Sequence, residues 1–87
     1  MKVFLFTMQG CDYCKEIKEL LNSSGIEYSE KDIHENEEEW ETFKEFSEYD
    51  HVPQFLVKTK IGFTPVSDFE TLEEAVQEVL TLLENNK

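Results

Sequence analysis

The feature that most constrains this chain is Met8-Gln9-Gly10-Cys11-Asp12-Tyr13-Cys14-Lys15, which holds both of its cysteines at C-x-x-C spacing directly behind the apolar run Val3-Phe4-Leu5-Phe6. Lys2 to Thr7 is apolar and aromatic enough for a buried strand, and Gly10 punctuates the chain before the cysteines. From Tyr13 to Asn22 the residues Cys14, Ile17, Leu20 and Leu21 recur at steps of three and four, with Lys15, Glu16, Lys18 and Glu19 between them. That spacing predicts an amphipathic helix. A strand handing over to a helix at this point sets Cys11 at the helix N-terminus, where unpaired backbone N–H groups and the macrodipole stabilise a thiolate. Cys11 is therefore the reactive sulfur. Cys14 falls in the first turn on the same face, so its sulfur can reach bonding distance of the first. A disulfide across so short a loop is easily opened and re-formed.

Two cysteines in 87 residues are too few for a disulfide scaffold, and in a reducing compartment a close pair is more often redox-active or metal-binding than structural. The length fits one domain, residues 1–87. No apolar run approaches the roughly 18 residues that cross a bilayer. The first residues lack a basic stretch followed by an apolar one with a cleavage site, so the expected location is cytoplasmic. With 20 acidic against 8 basic residues the formal charge is −12, which excludes the clustered cations that a nucleic-acid or anionic-membrane surface requires.

Beyond the first helix, which Ser23-Ser24-Gly25 ends, Ile26 to Glu30 alternates apolar and polar and predicts a second strand parallel to the first. The acidic run Glu35 to Glu41 opens a second helix, with Asn36 and Glu39 at capping-box spacing and Trp40, Phe43 and Phe46 as its apolar face. These acids read as a solvated helix start rather than a cation site. Gln54 to Val57 predicts a third strand, preceded by a proline that a strand's start permits. Lys58 to Val66 holds a turn and a fourth strand, and Lys58 and Lys60 read as protection for an edge strand. Asp68 or Thr71 caps a last helix, where Thr71 and Glu74 have capping-box spacing and Leu72, Ala75, Val76, Val79, Leu80 and Leu83 form the apolar face.

The resulting order βαβαββα, with C-x-x-C between the first strand and first helix, Tyr13 before the second cysteine and Val52-Pro53-Gln54 opening the third strand, resembles the glutaredoxin family. The resemblance covers essentially the whole chain and implies the α/β thioredoxin fold, a four-stranded mixed sheet flanked by three helices. It further implies a thiol–disulfide oxidoreductase that works through Cys11 and Cys14, with glutathione as co-substrate and no tightly bound cofactor or metal. In such proteins the Val52–Pro53 bond would be cis and lie opposite the cysteines, leaving the backbone of Val52 to pair with an extended peptide as an added strand does. Tyr13 would line the pocket, and backbone N–H groups at Ser67 and Asp68 would hold a glutathione carboxylate. The implied partners are glutathione and disulfide-containing proteins, ribonucleotide reductase among them, and the implied state is a monomer.

Three positions depart from the family pattern. Asp12 stands where proline is common, and its carboxylate beside Cys11 opposes the thiolate that the helix start favours. Met8 replaces a frequent lysine, removing one anchor for a glutathione carboxylate. The usual Gly-Gly before the last helix is matched only in part by Ile61-Gly62-Phe63, with Thr64-Pro65-Val66 reading as inserted. These departures loosen the implied hold on glutathione more than they alter the redox pair. His51, two residues before Pro53, reads either as an exposed loop histidine or as an aid to proton transfer. Rival functions are a glutathione-independent, thioredoxin-like electron donor, an iron–sulfur cluster carrier and a non-catalytic interaction module. A zinc site would need two further ligands, and His34 and His51 are not at a recognisable spacing for them.

Overall fold

Residues 2–85 are described by the computed structural model, and they form the seven elements that the hydrophobic pattern predicts. These are β1 (Lys2–Thr7), α1 (Asp12–Ser23), β2 (Ser29–Asp32), α2 (Glu37–Ser47), β3 (Gln54–Thr59), β4 (Gly62–Val66) and α3 (Leu72–Asn85). The sheet runs β2-β1-β3-β4, with β1 and β2 parallel and the other two pairings antiparallel. This is the mixed, four-stranded, three-helix α/β architecture of the thioredoxin fold.

Strand alternation divides the core between two faces. Val3, Leu5, Phe55, Val57 and Val66 point to the side of α1 and α3, where Ile17, Leu21, Ile26, Ala75, Val76 and Val79 complete a buried cluster. Phe6 points to the other side and packs only with Trp40 and Phe43 of α2 as its buried partners. Gly10, at φ +77°, makes the turn from β1 into α1 in a conformation that costs glycine little.

Several local expectations are corrected. The second strand is Ser29–Asp32, not Ile26–Glu30, because Gly25 (φ +70°) turns the chain back so that the Ile26 N–H donates to the Leu21 carbonyl at 3.0 Å and the Ile26 side chain enters the core. Asn36 begins α2 without a side-chain cap: its Nδ2 donates to the Asp32 carbonyl at 2.9 Å, while Glu39 pairs with Lys31 at 3.1 Å. Phe46 is 53% exposed and lies outside the α2 core contact. Lys58 lies on the interior strand β3 and covers the Phe63 ring, so it does not guard an edge. The fourth strand expected between Lys58 and Val66 is β4, and Thr64-Pro65-Val66, the stretch that departs from the family pattern, is its second half, paired with Val57, Leu56 and Phe55. The last helix is capped by Thr71, whose Oγ1 accepts from the Glu74 N–H at 3.1 Å, and Asp68 lies upstream of it. The Glu74 carboxylate reaches back to the Glu70 N–H at 2.9 Å, one residue before the position a capping box prescribes.

Candidate active site

The register brings three loops to one end of the sheet. Phe6 near the end of β1 pairs with Gln54 at the start of β3, and Phe55 pairs with Val66 at the end of β4. The turn carrying Cys11, the Val52-Pro53 segment and the Ser67-Asp68 segment therefore leave the sheet side by side. Thus the predicted site residues, distant in sequence, share one edge of the fold.

Cys11 is the N-cap of α1, extended at φ −91° and ψ 107°, and its Sγ accepts from the Cys14 N–H at 3.1 Å. A sulfur at this position meets one of the helix's unpaired N–H groups, which favours negative charge on it. Cys14 is bonded to Cys11 as a disulfide, with a Cα separation of 5.2 Å. The two sulfurs differ in access: Cys11 is half-buried, whereas Cys14 is 2% exposed against the sheet. Asp12 in the first turn, Lys15 and Tyr13 are exposed around the pair, Tyr13 at 65%.

A cleft of about 290 Å³ opens beside the pair, lined by Thr7, Cys11, Cys14, Lys15, Lys18, Glu30 and Asp32 among others. Lys18 lies one turn beyond Cys14 on the same face of α1. Its ammonium donates to Glu30 Oε2 at 3.2 Å, and the buried Thr7 hydroxyl donates to the same oxygen at 2.7 Å. The wall of the cleft is thus a fixed chain of Lys18, Glu30 and Thr7. Sequence reading missed it, although Lys18 at i+4 from Cys14 was a usable signal.

Toward β3, on the other side of β1 from this cleft, the Val52–Pro53 bond is cis, Pro53 is buried and Val52 half-buried. Ser67 is buried and directs its hydroxyl inward to Gln54 Oε1 at 2.6 Å, while Asp68 is exposed. Both precede α3 by several residues, so any backbone N–H they offer belongs to a loop rather than to the helix start. His51 is exposed, with its ring edge-on to Tyr49 at 5.5 Å and to Phe69 at 6.3 Å. It does not line the cysteine cleft. Among the described residues no group of three or more His, Cys, Asp or Glu is placed to hold a metal ion.

Compared with known proteins, residues 3–61 match the family model described as Glutaredoxin. The chain belongs to the glutaredoxin family. The glutaredoxin domain is 41% identical over 51 residues to human Glutaredoxin-3 and 44% identical over 48 residues to its mouse counterpart, alignments that cover 59% and 55% of this chain. It spans only about 15% of the length of those relatives. Among solved structures it resembles the thioredoxin-like protein BC3987, at TM-score 0.70 and 20% identity over 90% of this chain and 99% of that one. It also resembles thioredoxin 1 from Thermosipho africanus, at TM-score 0.63 and 20% identity over all of both chains. These likenesses bear on the fold. The chemistry open to the glutaredoxin domain is thiol–disulfide exchange, since its two sulfurs are held at bonding distance with one of them at the surface. No helix among the described residues is long and apolar enough to cross a membrane.

Proposed function

We propose that this domain is a dithiol thiol–disulfide oxidoreductase that reduces protein disulfides or glutathione mixed disulfides. The observation that carries the reading is the asymmetry of the pair, with Cys11 half-buried at a helix N-cap and Cys14 enclosed behind it. In the reduced protein the Cys11 thiolate attacks a substrate sulfur, the substrate S–S bond breaks, and the departing thiolate takes up a proton. Cys14 then gives up its thiol proton and attacks Cys11 Sγ, releasing the second substrate sulfur. Two electrons have passed to the substrate, and Cys11 and Cys14 remain joined. Two glutathione molecules restore the dithiol and leave as oxidised glutathione. In the monothiol route a glutathione takes the part of Cys14.

In this reading Tyr13 flanks the docked substrate, the Val52 backbone pairs with it beside Pro53, and the Ser67 and Asp68 backbone receives a glutathione carboxylate. Glutathione is a co-substrate, the location is cytoplasmic, the domain acts as a monomer, and ribonucleotide reductase is one acceptor that the family relationship suggests. Support for the peptide-docking part comes from the common sheet end at which all these loops emerge.

The test is reduction of a glutathione mixed disulfide by wild type, Cys11→Ser and Cys14→Ser, with glutathione and its reductase supplying electrons. Loss of activity in Cys11→Ser with retention in Cys14→Ser is the expected result. Inactive wild type that turns over once thioredoxin reductase is supplied would replace glutathione with a thioredoxin-like donor system.

A further inference from the structure

Gln54 is fully buried at the first position of β3, and none of its polar atoms is idle. Its Nε2 donates to the Tyr49 carbonyl at 3.2 Å and to the His51 carbonyl at 2.5 Å, while its Oε1 accepts from the Ser67 hydroxyl at 2.6 Å. The loop end at Tyr49 is held a second time, since the buried Ser47 hydroxyl donates to the Tyr49 carbonyl at 3.3 Å and accepts from the Tyr49 N–H at 3.2 Å. One amide thus ties together the segment before Pro53 and the segment after β4, the two loops that emerge on the β3 and β4 side of the turn carrying Cys11.

The bond to His51 also sets a direction. The carbonyl of His51 and the N–H of Val52 belong to one peptide unit, which is trans, the cis bond being the next one along. In a trans unit C=O and N–H point opposite ways. Drawing the His51 carbonyl inward onto Gln54 therefore turns the Val52 N–H outward. No hydrogen bond runs from that N–H to another described residue. A free donor beside a half-buried side chain is the element an extended peptide needs in order to add itself as a strand.

We infer that Gln54 is a positioning residue for substrate: its buried amide fixes the Val52 peptide plane and the spacing between the Val52 and Ser67 loops, so that a peptide backbone docks in one register over Cys11. It touches no reacting atom. The inference rests on the reading of the domain as a disulfide reductase and adds to it the residue that orients the docking edge. Removing a residue that holds a binding surface rather than the chemistry raises KM and leaves kcat in place. Cys11 reactivity toward a reagent with no peptide backbone is then independent of Gln54.

The experiment measures Gln54→Leu, which removes all three bonds, and Gln54→Glu, which keeps an acceptor for Ser67 but loses the donors to the two carbonyls. The substrate is a glutathionylated peptide, and alkylation of reduced Cys11 by iodoacetamide is followed in parallel. The expected outcome for both variants is a KM raised about tenfold, with kcat and alkylation rate within about a factor of two of wild type. An unchanged KM, or a fall in kcat and alkylation rate as large as the rise in KM, overturns the inference. Should neither variant fold, hydrogen exchange with Gln54 intact, in wild type and in Cys14→Ser, decides. The Gln54 side-chain amide is then expected to exchange slowly in both states, and the Val52 N–H to exchange fast until a glutathione mixed disulfide is trapped on Cys14→Ser. A Val52 N–H that the trapped disulfide leaves unprotected overturns it. Wild type inactive toward the glutathionylated peptide removes the functional reading and the inference together, whereas active wild type with an unchanged Gln54→Leu KM removes the inference alone.

Discussion

The two faces of the sheet are built to different depths. On the side of α1 and α3, eleven buried residues drawn from the sheet, the two helices and the turn before β2 form one cluster, with Leu20, Leu72, Leu80 and Leu83 packed around it. On the side of α2, among the described residues, only Phe6, Trp40 and Phe43 are buried together, and beside them Phe4, Phe46, Leu56 and Phe63 line an open groove of about 670 Å³. The cysteines stand on α1, over the deep face. Groups that must meet a substrate sulfur at a fixed distance are thus mounted on the part of the molecule that yields least, since close-packed interiors transmit strain rather than absorb it. The lightly packed face carries α2 and the loop that leads to Pro53, and that loop owes its shape to buried polar side chains more than to apolar packing.

The largest test of this contrast uses the same truncation on each side. Phe55→Ala on the deep face and Phe43→Ala on the shallow one both fall in a range of about 3 to 5 kcal/mol by urea unfolding, with Phe55 expected at the top and Phe43 at the bottom, where neighbours can close into the groove. Equal losses would mean that the shallow face is as rigid as the deep one. A smaller effect distinguishes the helix starts. Thr71→Ala should cost about 1 kcal/mol because a side-chain cap on α3 is lost, whereas Asn36→Ala should cost about half that or less, since the Asn36 side chain does not cap α2. The smallest effect lies at the head of α1. Asp12→Asn removes a carboxylate next to Cys11 and should raise thiolate reactivity near neutral pH by about threefold in an iodoacetamide assay. A slower reaction would show that repulsion by Asp12 is not the dominant effect on Cys11.

What the sequence disclosed follows the same division. β1, α1 and α3 were legible because their apolar residues repeat with the period of the element and the deep face absorbs them. The C-x-x-C pair was legible because its chemistry needs only the helix start that directly follows β1. β2 was misplaced because its paired residues, Ser29 to Asp32, are polar, while the apolar Ile26 before them serves the core from a turn. Asn36 and Glu39 had the spacing of a capping box, but the Asp32 carbonyl, four residues back, and Lys31 took their side chains. The role of Gln54 left no periodic trace. A single amide between two loops is defined by carbonyls at Tyr49 and His51 and a hydroxyl at Ser67, and only the β1, β3 and β4 register brings those together.

The two outermost strands have a bearing on how this molecule keeps company with copies of itself. β2 is four residues long and presents Glu30, Lys31 and Asp32, while β4 contains Pro65, which has no N–H to offer. Charge, brevity and a missing donor each discourage another chain from zipping onto an exposed sheet margin. If an extended chain docks at Val52 as proposed, the open margins of the sheet are closed to the same kind of visitor, which disfavours propagation of that backbone pairing from copy to copy.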